Sequence, residues 1–287
     1  MTSSIVRATA RIARALPQGA RDSLYRLGPI SNVIRSMLTR AAPGDINPVE
    51  VAAGPLAGMH LQLDLRTEKD LWLGTYEPAL LEAIDHFTGL GFTAYDVGAN
   101  IGYVSLALAR AVGPQGQVVA FEPLPENVSR LRTNVELNPE GGRVRVVEAA
   151  VSDRAERSQF LIHRSGAMGK LEASKGRAEA YEGEIRVDVI ALDDWIEERN
   201  EPMPDLIKID VEGGEALVLA GLERTLKEAR PMLLIELHGP EASEKTLELL
   251  ESAHYRLHEL RAGYPAFRGL TDWKTYVIAQ QKESDTQ

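Results

Sequence analysis

The spacing of apolar and polar positions alternates regularly through the middle of the chain. Short apolar runs at 92–97, 117–121 and 144–148 predict strands, and the apolar segment at 103–112 and the polar-faced one at 126–137 predict helices between them. This β-α-β-α-β order is typical of a parallel sheet covered by helices.

The same alternation returns in the second half of the chain. Strands are predicted at 206–209, 232–237, 255–259 and 275–279, and helices at 215–226 and 242–252. Two βαβαβ halves predict an α/β fold of the doubly wound, Rossmann-like type. In such folds the ligand binds at the carboxyl ends of the central strands.

A stretch between the two halves interrupts this alternation. Its β-like runs at 159–163 and 185–190 flank a segment rich in Gly, Ala, Lys and Glu, which predicts an inserted β-hairpin over 155–191 with its tip at 165–182. A hairpin beside the ligand edge of the sheet is a candidate lid that selects the substrate. A hairpin with no part in binding is the alternative.

The N-terminal region has a different character. Residues 49–66 alternate weakly as a small β element, and Pro78 lies early in a helix that runs to residue 88. Turn-forming residues at 42–48 end the segment before them. We therefore expect residues 1–48 to form a helical extension and residues 49–287 to form the main domain.

Charge is divided unevenly between these two parts. Residues 1–44 hold seven arginines and one acid, a charge of +6, so the net charge of −10 leaves −16 for the rest of the chain. An acidic main body argues against a nucleic acid as partner. We expect the arginine-rich segment to be a solvated extension, and contact with a membrane surface or a partner protein is the alternative.

Composition narrows the class of protein further. Hydrophobic residues make up 44% and charged residues 26%, as in ordinary globular proteins. No apolar run reaches the ~18 residues that a transmembrane helix needs. The absence of cysteine excludes disulfides, thiolate zinc sites and a cysteine nucleophile. We expect a cytoplasmic protein and leave open whether it forms a homo-oligomer.

The first chemical motif is Asp96-Val97-Gly98-Ala99-Asn100-Ile101-Gly102, between a predicted strand and a predicted helix. A glycine-rich turn at this place lets a nucleotide-like ligand approach the backbone closely. The motif departs from the Gly-x-Gly-x-x-Gly of nicotinamide enzymes, because Asn100 and Tyr103 stand at the second and third glycine positions. A loop that binds a pyrophosphate is therefore disfavoured.

The second motif ends the next predicted strand. Glu122 lies 24 residues after Gly98, where an acid can accept hydrogen bonds from the ribose hydroxyls of a nucleoside. Enzymes that use nicotinamide cofactors and enzymes that use S-adenosylmethionine share this feature. A surface carboxylate at a strand end is the alternative.

Acids and a histidine follow two strands of the second half. Asp210 ends the strand at 206–209, and Glu236 and His238 lie at the end of the next one, so all three should face one crevice. A histidine titrates near pH 6.5 and can accept a hydroxyl proton, so His238 is the candidate general base, with Asp210 or Glu236 orienting the imidazole or the substrate. The alternatives are a structural histidine and acids that stabilise a helix start.

A divalent metal is a competing interpretation of the same residues. Asp210, Glu212, Glu236 and His238 offer oxygen and imidazole ligands. No adjacent acids and no Asp-x-His pair mark a compact ligand cage among them, so a metal site is not favoured.

The order and spacing of these motifs resemble the FkbM-type family of class I S-adenosylmethionine-dependent methyltransferases over residues 76–238. The resemblance is carried by Gly74-Thr75-Tyr76-Glu77-Pro78, the loop at 96–103, Phe121-Glu122-Pro123 with Asn127, Ala150-Val151-Ser152, Leu192-Asp193, the segment at 206–215 and Glu236-Leu237-His238. Each motif alone is weak, and their order makes the resemblance specific.

The resemblance implies a seven-stranded sheet whose last strand is antiparallel. It also implies a set of residues around the cofactor, with the methionine portion on the glycine loop, the ribose on the acid of the second strand and the adenine beside 149–152. These residues are Glu77, Asp96, Gly98, Asn100, Gly102, Glu122, Asn127, Ala150, Ser152 and Asp210.

The expected activity is methyl transfer from S-adenosylmethionine, which leaves S-adenosylhomocysteine, to a hydroxyl of a small molecule or glycan. The acceptor classes that the resemblance implies are sugars, glycans and secondary metabolites. A nicotinamide-dependent oxidoreductase and a module that binds the cofactor without catalysis are the alternatives.

Overall fold

The computed structural model describes residues 46–163, 168–175, 181–270 and 272–281. Its strands are β1 (Asn47–Glu50), β2 (His60–Leu63), β3 (Thr93–Val97), β4 (Gln117–Phe121), β5 (Val144–Val147), β6 (Ala150–Val151), β7 (Glu156–His163), β8 (Gly169–Leu171), β9 (Tyr181–Ile190), β10 (Leu206–Ile209), β11 (Met232–His238), β12 (Tyr255–Glu259) and β13 (Lys274–Gln281). Its α-helices are α1 (Lys69–Leu73), α2 (Pro78–Phe87), α3 (Tyr103–Ala111), α4 (Pro125–Glu136), α5 (Leu192–Arg199), α6 (Glu215–Ala220), α7 (Glu223–Glu228) and α8 (Pro240–Ser252). The predicted helical extension at 1–48 lies almost wholly outside these residues.

The main sheet of the described chain has seven strands in the order β12-β13-β11-β10-β3-β4-β5. Strands β5, β4, β3, β10 and β11 are parallel, and β13 runs antiparallel between β11 and β12. The prediction of a doubly wound sheet with an antiparallel last strand is therefore confirmed.

Helices cover both faces of this sheet, which explains why its central strands are apolar throughout. All five residues of β3 and all four of β10 are buried. Ala94 and Leu206 belong to the hydrophobic cluster on one face, and Tyr95 and Ile207 belong to the cluster on the other. The two charged residues in these strands, Asp96 and Lys208, lie near the carboxyl ends and belong to the site described below.

The described residues before β3, 46–92, form an N-terminal preface that packs on the face of the main sheet that carries α3. Strands β1 and β2 form an antiparallel hairpin, and two asparagines of the α4 region fix it. The Asn134 carboxamide accepts a hydrogen bond from the backbone N–H of Gln62 at 2.6 Å, and that of Asn138 accepts one from the N–H of His60 at 2.8 Å. The preface also contains α1, which the sequence pattern does not predict.

The predicted hairpin is present and is part of a larger structure. Strands β7 and β9 pair antiparallel, and with β6 and β8 they form a second sheet in the order β6-β9-β7-β8. Of the predicted tip at 165–182, the structure describes 168–175 and 181–182. Helix α5 directly follows this insert and is a second element that the sequence pattern does not predict.

The prediction of one helix at 215–226 is wrong, because the segment forms α6 and α7 with a break at Gly221. A Cβ on Gly221 would lie 2.1 Å from the carbonyl oxygen of Ser152. The chain therefore passes so close to the Ser152 backbone that only glycine fits.

No helix in the described part of the chain has the length and apolar character that crossing a bilayer requires.

Candidate active site

A cavity of about 430 Å³ opens at the carboxyl ends of the central strands. This is the edge at which doubly wound sheets bind ligands. Of the predicted site residues, those that line it are Gly98, Asn100, Glu122, Asn127, Ala150, Ser152, Asp210 and Glu236. Glu77, Asp96, Gly102 and His238 are not among the lining residues and lie behind or beside them.

The glycine loop after β3 makes a tight left-handed turn. Gly98 and Gly102 have φ of 81° and 89°, and Asn100 between them has φ of 50°. A Cβ on Gly98 would lie 1.9 Å from the carbonyl oxygen of Asp210, so the loop and the end of β10 are in backbone contact. The N–H groups of Gly98 and Ala99 both donate to the Phe121 carbonyl, so the loop is held by β4. The turn therefore lets a ligand approach the backbone closely, but the N–H groups of Gly98 and Ala99 are already used and are not free to bind it.

Glu122 is buried at the wall of the cavity. Its carboxylate accepts hydrogen bonds from the N–H of Asn100 at 2.8 Å, the N–H of Leu124 at 3.0 Å and the Asn127 amide at 3.1 Å. Burial raises the pKa of this carboxyl, and the three donors oppose that shift. A carboxylate has about four acceptor positions, so capacity remains for a ligand hydroxyl.

Lys208 is a buried residue of β10 that lies in the segment at 206–215 but is not among the predicted site residues. Its Nζ donates to the Gly98 carbonyl at 2.8 Å and lies 3.2 Å from Oδ1 of Asp96, whose other oxygen accepts a hydrogen bond from Ser105 at 2.6 Å. Burial lowers the pKa of Lys208, but Asp96 and Asp210 outweigh it, so the pKa is raised. Asp96 thus acts on the glycine loop through the lysine. The sequence did carry a signal for Lys208, because a lysine flanked by isoleucines in a strand that is otherwise apolar is unusual.

Part of the cavity lining is largely apolar and comes in part from the insert. Ala150 and Ser152 line it together with Phe160, Met168 and Leu171 of the second sheet. The backbone N–H of Ser152 donates to Ile190, which ties this wall to β9. An apolar surface in the same cavity as Glu122 is suited to a nucleobase.

His238 lies at the end of β11 and is 2% exposed. Its Nδ1 is 2.8 Å from Oε1 of Glu215, and its Nε2 is 3.5 Å from Glu236, 3.8 Å from Asp210 and 3.9 Å from Glu212. Burial lowers the pKa of the imidazole, but the hydrogen bond and charge of Glu215 and the charges of Asp210 and Glu212 raise it above the usual value of 6.5. The predicted orienting acids thus approach Nε2, and the acid bonded to Nδ1 is Glu215.

Glu77 and Glu236 share a lysine at the rim of the site. Lys274 forms an ion pair with Glu236 and lies 3.5 Å from Glu77, which also accepts a hydrogen bond from the Tyr276 hydroxyl at 2.5 Å. Glu77 has φ of 40° at the start of α2, so this contact fixes a strained position. Glu77 therefore contacts Lys274, which lines the cavity, without lining it itself, and its predicted role at the site stays a prediction.

A metal ion is the alternative use of this cluster. Asp210, Glu236 and His238 each offer one ligand atom within 4.8 Å of the others. Lys274 pairs with Glu236, and Lys208 lies 3.6 Å from Asp210, so the described residues already supply positive charge to both carboxylates. The absence of a metal requirement stays a prediction, which a chelator control tests.

Sequence comparison matches the family model for the methyltransferase FkbM domain to residues 96–260. The chain is 33% identical over 149 residues to 2-O-methyltransferase NoeI of Sinorhizobium fredii, with 47% of this chain and 59% of the relative covered. It is 29% identical to hexuronic acid methyltransferase AglP of Haloferax volcanii, with 55% and 61% covered. It is 35% identical to 31-O-demethyl-FK506 methyltransferase FkbM of Streptomyces tacrolimicus, with 46% and 60% covered.

The matches span about three fifths of the length of these curated relatives. The matched region of this chain contains the glycine loop, Glu122 and the cluster around His238. It is more than half of the chain, so the protein belongs to the FkbM methyltransferase domain family.

Proposed function

We propose that this protein transfers a methyl group from S-adenosylmethionine to a hydroxyl oxygen of a sugar, glycan or secondary metabolite, with His238 as the general base. The observation that carries the proposal is that one cavity is lined both by Gly98 and Glu122 and by Asp210 and Glu236. A nucleoside-binding half and a half rich in proton acceptors therefore share one space. Family membership favours methyl transfer as the use of that arrangement.

The described residues fit a sulfonium nucleoside. Glu122 has capacity left for a ribose hydroxyl, and Phe160 and Leu171 provide an apolar surface for adenine. Lys208 and Lys274 also line this cavity, but acidic side chains outnumber them, among them Asp210, Glu212 and Glu236. The lining therefore favours a positive charge. When bound, S-adenosylmethionine supplies a methyl group on a positively charged sulfur.

The task left to the protein is to align the acceptor and remove its proton. Bound S-adenosylmethionine would supply the methyl group and keep the electron pair of the C–S bond on sulfur, and Nε2 of His238 would take the proton that the acceptor hydroxyl gives up. His238 is almost fully buried and does not line the cavity, so the proton reaches Nε2 through the Asp210 carboxylate, which lines the cavity and lies 3.8 Å from Nε2. A base in this position typically contributes 10²–10⁴-fold to the rate.

Relatives support oxygen as the methylated atom. Two are named for O-methylation, and a third is named for a hexuronic acid. An acceptor with several hydroxyls also suits a cavity edged by Asp210, Glu212 and Glu236, because carboxylates accept hydrogen bonds from the hydroxyls that flank the reacting one.

The test supplies the purified protein with methyl-¹³C S-adenosylmethionine and a panel of sugars, glycans and macrolide alcohols. We expect S-adenosylhomocysteine to form and the label to appear in a methoxy group of one acceptor class, seen by NMR. Label on nitrogen or carbon would contradict the assignment of oxygen. Calorimetric binding of NAD in place of S-adenosylhomocysteine would favour the oxidoreductase alternative.

A further inference from the structure

We propose that Glu215 is the positioning residue for the base: it holds His238 in the one tautomer that leaves Nε2 free to accept the substrate proton. This inference rests on the proposed function and assigns a role to a residue outside the predicted site. It is carried by the geometry around Nδ1.

Glu215 is the first residue of α6 and is fully buried. Its Oε1 receives the N–H of Gly213 at 2.9 Å and lies 2.8 Å from Nδ1 of His238. The residues just before it turn tightly, with φ of 51° at Glu212 and 92° at Gly213. One oxygen therefore closes this turn and contacts the imidazole, so rotation of the carboxylate would break both hydrogen bonds.

The partner of Nδ1 determines which ring nitrogen carries the proton in the neutral imidazole. An ionised carboxylate only accepts hydrogen bonds, so Nδ1 must be the donor to Glu215. The lone pair of the neutral ring is then on Nε2. With the opposite tautomer, Nε2 would carry a proton and could not accept another.

The other charged groups around His238 cannot take this role. Those that face Nε2 are Asp210 and Glu212 after β10 and Glu236 on β11, with Lys274 of β13 paired to Glu236. Their oxygens lie 3.5 to 3.9 Å from Nε2, beyond good hydrogen-bond geometry, and none contacts Nδ1. They add negative charge at the ring, whereas Glu215 fixes its orientation.

The experiment compares Glu215→Gln and Glu215→Met with the wild type in the full chain. Glu215→Gln keeps the size and removes the charge, and Glu215→Met also removes the acceptor. We expect kcat to fall at least about 10-fold in both, which is part of the 10²–10⁴-fold that a well-placed base contributes. KM for S-adenosylmethionine should change less than about twofold, a factor worth ~0.4 kcal/mol. Glu223→Gln, at an exposed acid that starts α7, is the matched control and should keep wild-type kcat.

The pH profile distinguishes positioning from a merely structural role. In the wild type, kcat should rise with pH as His238 loses its proton, with a midpoint above 6.5 because its pKa is raised. In Glu215→Gln the midpoint should move to lower pH, since the neighbouring negative charge is gone. Loss of thermal stability with an unmoved midpoint and unchanged kcat would overturn the proposal.

A readout without turnover separates this inference from the proposed function. ¹⁵N NMR of histidine-labelled protein, with the His238 signals assigned by His238→Gln, reports which ring nitrogen is protonated. We expect an Nδ1-protonated ring in the wild type above the midpoint and a shift toward the Nε2-protonated form in Glu215→Met. An Nε2-protonated wild-type ring overturns the positioning role, whatever the methyl-transfer assay shows. An inactive wild type with the expected tautomer contradicts only the proposed function.

Discussion

Glu122 is the residue whose role follows most directly from its surroundings. Three N–H donors hold its carboxylate at the cavity wall, and a charged acceptor removed from a ligand hydroxyl costs ~1.5–3 kcal/mol. Glu122→Gln should therefore weaken S-adenosylhomocysteine binding about 10- to 150-fold in a calorimetric titration. Glu126→Gln, an exposed acid in the first turn of α4, is the control and should bind as the wild type does. Equal affinity of the Glu122 variant and the wild type would remove Glu122 from the site.

Lys208 and Asp96 form a buried pair that contacts the glycine loop, because Lys208 donates a hydrogen bond to the Gly98 carbonyl. Replacing Lys208 with methionine leaves Asp96 charged and without its cation, which typically costs ~3–5 kcal/mol of unfolding free energy. Adding Asp96→Asn should recover part of that loss, because the buried charge is then removed while Ser105 can still donate. Urea unfolding of the two single variants and the double variant measures the coupling. A double variant less stable than Lys208→Met would contradict the pairing.

Individual site residues could be predicted from the sequence only where they lie at the ends of strands. Glu122, Asp210 and Glu236 could be predicted at the cavity because parallel strands end at one edge. The partner of Nδ1 could not, because Glu215 reaches His238 only through the left-handed turn at 212–213, which depends on tertiary packing. The same holds for Lys274, which β13 brings beside β11 from more than 30 positions later in the chain.

At the scale of elements, the turn after β3 depends on close backbone approach. Gly98→Ala would place a Cβ 1.9 Å from the Asp210 carbonyl oxygen, in addition to the ~1–2 kcal/mol that a left-handed φ costs a residue with a Cβ. We expect Gly98→Ala to lose measurable S-adenosylhomocysteine binding and to unfold at a lower urea concentration.

Gly91→Ala is the matched control for this change. Gly91 has φ of 83°, close to the 81° of Gly98, and nothing lies within 4 Å of its Cβ position. Its variant should bear only the conformational cost and bind the ligand normally. If both variants bind equally well, the contact between the glycine loop and β10 has no part in the site.

The regular elements followed from the sequence and the irregular ones did not. Strand β10 lies at the predicted residues because its apolar run is buried on both faces. The break between α6 and α7 was not predicted, because a single glycine such as Gly221 is tolerated within a helical pattern. The reason that a side chain is excluded there, the close approach of Ser152, is visible only in the structure. Helices α1 and α5 were missed because five and eight residues carry little periodic signal.

At the scale of the whole molecule, the sheet brings a loop, an acid and an imidazole from three different strands to the one edge at which the cavity opens. The insert closes one side with Phe160 and Leu171, and the N-terminal preface brings Leu71 to the rim. Buried charge is concentrated at this edge, where Asp96, Lys208, Glu215, Glu236 and His238 are all nearly inaccessible. Charges buried together at a cavity are typical of a functional site, because burial shifts their proton affinities.

The most direct test of the account measures kcat for methyl transfer by the wild type and by His238→Ala at saturating S-adenosylmethionine, with and without a chelator. We predict a loss of at least about 100-fold in the variant, the lower bound for a general base, with S-adenosylhomocysteine affinity unchanged and no effect of the chelator. Equal turnover by the variant would contradict His238 as the base. Loss of wild-type activity with the chelator would instead assign the Asp210, Glu236 and His238 cluster to a metal.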